Sequence, residues 1–124
     1  MSKIIGVIGS RSRDGIDDYI LVGSMFYKVY EKGDSICSGL CPKGGDRFAV
    51  ELAKAFNLPD ECIIWYPANW KEYGRKAGMI RNTDIAKMSD MLIACVSSNR
   101  KGGTEDTIKK FIKFKGKGNL IIIE

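Results

Sequence analysis

The chain predicts an α/β fold: a single domain over residues 1–124, with a parallel sheet of about five strands in the order 3-2-1-4-5 and helices on both faces. Three observations lead there. Short apolar runs such as Met91–Val96 alternate with longer stretches of helical period, the mark of successive β-α-β units with right-handed crossovers. Glycine-rich turns separate strand from helix at residues 9–15, 39–46 and 102–103. A length of 124 residues supports one hydrophobic core and is too short for two.

Residues 3–8 read as a buried strand with a glycine inside it, followed by a polar loop from Gly9 to Gly15. From Ile16 the apolar residues fall at 16, 19, 20, 23, 26, 27 and 30, a helical stripe that Gly33 closes as a C′ residue. Asp34 to Ser38 is a short second strand, and Gly39 to Asp46 a second glycine-rich loop. The next helix buries Phe48, Ala49, Leu52, Ala53 and Phe56 and stops before Pro59. Cys62 to Tyr66 is the third strand, closed by Pro67. A loop rich in aromatics and glycine follows, then a weaker helix carrying Ala77, Ile80, Ile85 and Met88. Met91 to Val96 is the fourth strand, Thr104 to Lys115 the last helix, and Leu120 to Ile123 the closing strand.

Composition narrows the functional classes. An apolar fraction of 44% and a charged fraction of 28% are those of a globular protein. No apolar run approaches the roughly 18 residues of a membrane span. The N-terminal apolar run breaks directly into Ser10-Arg11-Ser12-Arg13-Asp14 without a cleavage site, so a cytoplasmic protein with no membrane partner is expected. The four cysteines form no Cys-x-x-Cys pair and histidine is absent, which argues against a zinc site and removes the usual general base; no cofactor is expected. The net charge of +5 is uneven: residues 1–99 hold 13 basic against 12 acidic side chains, residues 100–124 hold 7 against 3. Those late lysines complement the dipole of the last helix, and they also leave open a weak single-stranded nucleic-acid surface.

Strand order 3-2-1-4-5 puts the topological switch between strands one and four, where open α/β sheets bind ligands beyond the carboxyl ends of the strands. Two turns converge on that point. Gly9-Ser10-Arg11 supplies a glycine for close approach, a hydroxyl and a guanidinium whose fork fits two phosphate oxygens. Gly102-Gly103-Thr104 opens the last helix, whose free N–H groups and dipole favour an anion. Gly39 to Asp46 offers a second cradle, with Asp46 serving either a ribose hydroxyl or the N-terminus of its helix. Trp70 and Tyr73 either stack on a base or pack over the sheet edge. Arg81 and Asn82 lie on the helix that returns to strand four and can lean into the same crevice; an exposed arginine is the plain alternative.

Gly9-Ser10-Arg11, Ser38-Gly39 through Gly45-Asp46, Pro67-Ala68-Asn69-Trp70, the string Tyr73-Gly74-Arg75-Lys76-Ala77-Gly78-Met79-Ile80-Arg81-Asn82, Asp90 and Gly102-Gly103-Thr104 occur in an order that resembles the YspA-like (cpYpsA-related) branch of the SLOG superfamily. The resemblance covers nearly the whole chain. It implies a Rossmann-like domain that binds a nucleotide or a nucleotide-derived ligand, an ADP-ribose-like one included, as a sensor or a sequestering protein, and it implies a homodimer. Under it, Gly9, Ser10, Arg11, Gly102, Gly103 and Thr104 hold phosphate, Arg81 and Asn82 phosphate or ribose, Asp46 a ribose hydroxyl, and Trp70 or Tyr73 the base, with Gly39 in the second turn.

Two relatives imply other activities. The lonely-guy phosphoribohydrolases, which cleave a base from a nucleoside 5′-monophosphate, resemble the chain from Arg81 through Asp90 to Gly103-Thr104, and make Arg81 the best catalytic candidate. Their catalytic glutamate falls at Thr107, which cannot stabilise an oxocarbenium-like state; Glu105, Asp106 and Asp46 are the available substitutes. DNA-processing protein A resembles the chain at its first two glycine turns and implies single-stranded DNA binding.

Overall fold

In the computed structural model, which describes residues 2–124, the first strand, β1 (Ile4–Gly9), is apolar on both sides because it is covered on both sides. Ile5 and Val7 enter one core, and Ile8, with Ile4 beside it, the other. Gly6 is small for a reason: a Cβ there would meet the Leu92 side chain at 2.9 Å as well as the Ser89 hydroxyl.

Helix α1 (Ile16–Val29) and strand β2 (Ser35–Ser38) follow, then α2 (Gly45–Ala55), β3 (Ile63–Trp65), the single-turn helix α3 (Trp70–Tyr73), α4 (Ala77–Met88), β4 (Met91–Cys95), α5 (Gly103–Lys115) and β5 (Leu120–Ile123). The five strands are all parallel, in the order β3-β2-β1-β4-β5, as the sequence predicts. The first core gathers Val22 and Phe26 of α1 with Phe48 and Leu52 of α2 against one sheet face. The second gathers Ile85 and Ala86 of α4 with Ile108 and Phe111 of α5 against the other. Among the described residues, no helix is long and apolar enough to cross a membrane.

Two local features depart from the sequence expectation. On α1 the stripe expected to be buried splits: Phe26 is in the core, but Ile16 and Tyr27 are 73% and 75% exposed. Val22, Met25 and Val29 are equally apolar, and the sheet takes the side centred on Val22 and Phe26. The aromatic loop is also partly helical. Asn69 caps α3 by accepting the Glu72 amide at 3.1 Å, and a 3-10 turn over Gly74–Lys76 leads directly into α4.

Asp34, just before β2, is buried and accepts three donors. The Lys3 amide reaches it at 2.9 Å, Lys3 Nζ at 2.6 Å and the Glu31 amide at 2.9 Å, which joins the starts of β1 and β2. Burial pushes this carboxyl up, but the Lys3 and Glu31 donors outweigh it and hold it below the usual carboxylate range.

Candidate functional site

The strand ends bring the two predicted turns together. Gly9 pairs with Cys95, and the Ser10 amide donates to the Cys95 carbonyl at 2.9 Å, which sets the first turn beside the loop that leaves β4. That loop reaches Gly102, whose φ of +104° favours glycine, and α5 starts at the next residue. Between the turns lies a cavity of about 280 Å³. Gly9, Ser10 and Arg11 line one side, and Gly102, Gly103 and Thr104 the other. Asp46, Arg81 and Asn82 also line it.

The N-termini of α2 and α5 both approach this crevice, each begins at a glycine without a side-chain cap, and they differ in the carboxylate beside α2. At α2 the Gly44 amide already donates to Asp14 Oδ1 at 2.7 Å, and Arg47 Nε donates to the same oxygen at 2.8 Å. The Gly44 amide first and Arg47 second hold the Asp14 carboxyl below its ordinary range. Gly45 then packs onto β1, where a Cβ would collide with the Ile8 and Gly9 backbone. At α5 no side chain caps the helix, and the amides of Gly103, Thr104 and Glu105 have no acceptor among the described residues. The two acids of that first turn face elsewhere: Glu105 pairs with Arg100 at 2.8 Å and Asp106 with Lys110 at 2.8 Å. The helix dipole is therefore left to the cavity.

Cations complete the wall. Arg11 and Lys101 line the cavity, and neither has a carboxylate partner among the described residues. Arg81 is held in place: Nη1 donates to the Gly39 carbonyl at 3.0 Å and Nε to Asn82 Oδ1 at 3.2 Å, with Asp46 Oδ2 3.7 Å away. Asn82 in turn donates to the Gly103 carbonyl at 3.3 Å and to Asp106 Oδ2 at 3.1 Å, so α4 holds the start of α5 in position.

Asp46 is 7% exposed. Its Oδ2 accepts the Cys41 amide at 3.0 Å, and its Oδ1 lies 2.9 Å from Ser38 Oγ. The Ser38 hydroxyl is also in bonding contact with the Val7 carbonyl, so its single proton is shared between that carbonyl and Asp46 Oδ1. Burial raises this carboxyl, against the Cys41 amide, the Ser38 hydroxyl and Arg81, which lower it. Asp46 thus anchors the 39–41 turn and faces the cavity at once. Gly39 belongs to the same arrangement, since a Cβ there would sit 2.6 Å from Arg81 Cδ.

Thr107, where the hydrolase resemblance puts a glutamate, is buried and donates to the Gly103 carbonyl at 3.1 Å. Among the described residues, no three His, Cys, Asp or Glu side chains gather as metal ligands.

A second cavity of about 380 Å³ adjoins the first and shares Arg11, Cys41 and Arg81 with it. Gly39, Leu40 and Pro42 line one side; Pro67, Ala68 and Trp70 line the other. Trp70 is 58% exposed. Tyr73 is exposed and lines neither cavity. Leu40 has a φ of +58°, an uncommon conformation for a bulky residue.

Sequence reasoning missed Lys101, Leu40, Pro42, Pro67 and the role of Asp14. Lys101 was findable, since it directly precedes the glycine pair at an anion-binding helix start. Asp14 was not, because its partner Gly44 is 30 positions away. Compared with protein-family models, with curated proteins and with solved structures, the chain gives no match.

Proposed function

We propose that the chain binds a nucleotide or nucleotide-derived ligand in the crevice between the ends of β1 and β4, as a sensor or sequestering protein of the YspA-like branch of the SLOG superfamily. One observation carries the reading: the uncapped N-terminus of α5 opens into the cavity where Arg11 and Lys101 stand without carboxylate partners. A phosphate there accepts the Gly103 and Thr104 amides and the two cations, and each such charge-assisted bond contributes about 1.5–3 kcal/mol. The ribose extends past Arg81 and Asn82, and the base reaches Trp70.

Binding without bond cleavage is the better-supported form. Glycosidic hydrolysis requires a carboxylate free to stabilise positive charge and to direct water. Glu105 and Asp106 are paired with basic side chains, Asp46 is bonded within its own turn, and position 107 is threonine.

Isothermal titration against mononucleotides, ADP-ribose and free phosphate tests the reading, with Arg11→Ala and Gly103→Asp as controls. Saturable heat lost in both variants is expected; no heat with any of these ligands, or equal heat in the variants, overturns it. Incubating a nucleoside 5′-monophosphate with high protein concentration should release no free base. Release abolished by Arg81→Ala would replace binding with hydrolysis.

A further inference from the structure

The second cavity differs from the first in what its side chains can recognise. Its two walls come from different turns, Leu40 and Pro42 on one and Pro67, Ala68 and Trp70 on the other, and all five side chains are apolar or aromatic. Leu40 is 39% exposed while held at positive φ, so an apolar side chain is kept out of the core in a conformation that itself costs energy. Trp70 stands opposite on its short helix with its six-membered ring edge close to Gly78, 3.4 Å from where a Cβ would lie. No lining side chain is a carboxylate, an amide or a hydroxyl. The polar side-chain groups are the guanidiniums of Arg11 and Arg81, on the wall shared with the anion cavity, the Cys41 thiol and the Trp70 indole N–H.

Recognition of one base against another needs groups free to match the donors and acceptors along its edge, as amide, carboxylate and unengaged guanidinium side chains do. Stacking needs only a flat face, which every base has. The guanidiniums stand on the wall shared with the anion cavity, where Arg81 is already bonded to the Gly39 carbonyl and Asn82, and Arg11 faces the phosphate site. The apolar jaws therefore respond to the presence and size of a ring, and hardly to its substituents.

We propose that this second cavity is a ring clamp, and that the ligand class is the nucleoside 5′-monophosphates as a group, selected by phosphate and ring face and not by base identity. The inference rests on the nucleotide reading above and deepens it. The phosphate occupies the α5 N-terminus, the ribose passes the shared Arg11–Arg81 wall, and the base lies between Leu40 and Trp70. Purines bind more tightly than pyrimidines because they cover more of the clamp.

Titration of AMP, GMP, CMP, UMP and ribose 5-phosphate into the full chain, and into Trp70→Ala and Leu40→Gly, tests it. Glycine suits the backbone at position 40 and Trp70 is largely exposed, so both variants should fold. Expected are two purine affinities within tenfold of each other, two pyrimidine affinities within tenfold of each other, and ribose 5-phosphate weaker than AMP by about 5- to 150-fold, the range that stacking of one base supplies. Both substitutions should bring AMP close to ribose 5-phosphate and leave ribose 5-phosphate itself unchanged. A preference above tenfold between AMP and GMP, or between CMP and UMP, overturns the clamp. So does ribose 5-phosphate binding as tightly as AMP, an outcome that leaves the anion site standing. If ribose 5-phosphate and all four nucleotides fail to bind, the nucleotide reading falls first and the clamp falls with it.

Discussion

Asp14 Oδ1 accepts the Gly44 amide at 2.7 Å, so the N-terminus of α2 already meets an anion of its own chain while that of α5 meets a cavity. The turn at the start of α5 has no such carboxylate at its N-cap, and Gly102, Gly103 and Thr104 line the cavity. Arg11→Ala and Lys101→Ala are each expected to weaken ribose 5-phosphate by about 10-fold or more, the loss of one charge-assisted contact. The measurement is calorimetric, at low and at moderate salt. Both side chains are exposed, so the share of each should shrink as salt rises.

Gly45 and Gly103 both begin helices, and they should respond oppositely to alanine. At Gly45 a Cβ meets the β1 backbone at Ile8 and Gly9, which cannot move aside without disturbing the sheet. Gly45→Ala is expected to cost about 1–3 kcal/mol of stability. At Gly103 the nearest atom is Asn82 Nδ2 at 3.6 Å, an ordinary contact. Gly103→Ala should stay within about 0.5 kcal/mol of the parent in urea unfolding. Its effect should appear instead as weaker phosphate binding, because the methyl group stands beside the amides the anion uses.

Two buried carboxyls should tilt the acid side of the stability curve in opposite directions. Asp34 is held below its ordinary value of 3.8, so its stabilisation is complete above that pH and is lost as pH falls through the lower, folded value. Asp34→Asn, which deprives the Lys3 and Glu31 donors of their anion, should cost about 2–3 kcal/mol at neutral pH. That difference should narrow below pH 3.8. Asp46 is raised on folding, so the folded state holds its proton more tightly and stability declines as pH climbs from 3.8 through the higher, folded value. Asp46→Asn should remove that decline and cost less than Asp46→Ala, since an amide can donate to Ser38 Oγ and still accept the Cys41 amide. Urea unfolding at a series of pH values reads both.

The four thiols should separate by reactivity. Cys37 lies on β2 within the second core, and that burial pushes its thiol to about 12, against a partial offset from Ser89. Burial also raises Cys95. Cys41 and Cys62 are only half-buried. Iodoacetamide at pH 8 should modify Cys41 and Cys62 in the folded protein and reach Cys37 and Cys95 only after unfolding. Peptide mass spectrometry reads the sites. A bound mononucleotide should protect Cys41, which lines both cavities, and leave Cys62 unchanged.

The legible part of this fold is what local chemistry dictates. Apolar runs such as Met91–Cys95 and the glycines at 9 and 102 suffice to place strands and turns, and strand order then follows from crossover geometry. Which side of α1 faces the sheet was not legible, because Ile16, Ile20, Val22 and Phe26 are all apolar and only the packed neighbours choose between them. The start of α4 was obscured for a related reason: Gly74 and Gly78 suggest a loop, yet Asn69 caps α3 and the 3-10 turn carries the helical direction through to Ala77. At the site, the residues next to glycines were readable. The pairing of Asp14 with Gly44, the turn that Asp46 holds, and the cleft between Leu40 and Trp70 depend on contacts between distant segments.

Arg81 touches both cavities and is already fastened to the Gly39 carbonyl and the Asn82 amide oxygen. A long, loose arginine surrenders up to about 2 kcal/mol of rotamer freedom when a ligand pins it. Here that freedom is gone before any ligand arrives, surrendered when the chain folded. Whatever enters can exchange partners with a guanidinium that is already aimed, so the crevice resembles a set trap more than a hand that must close.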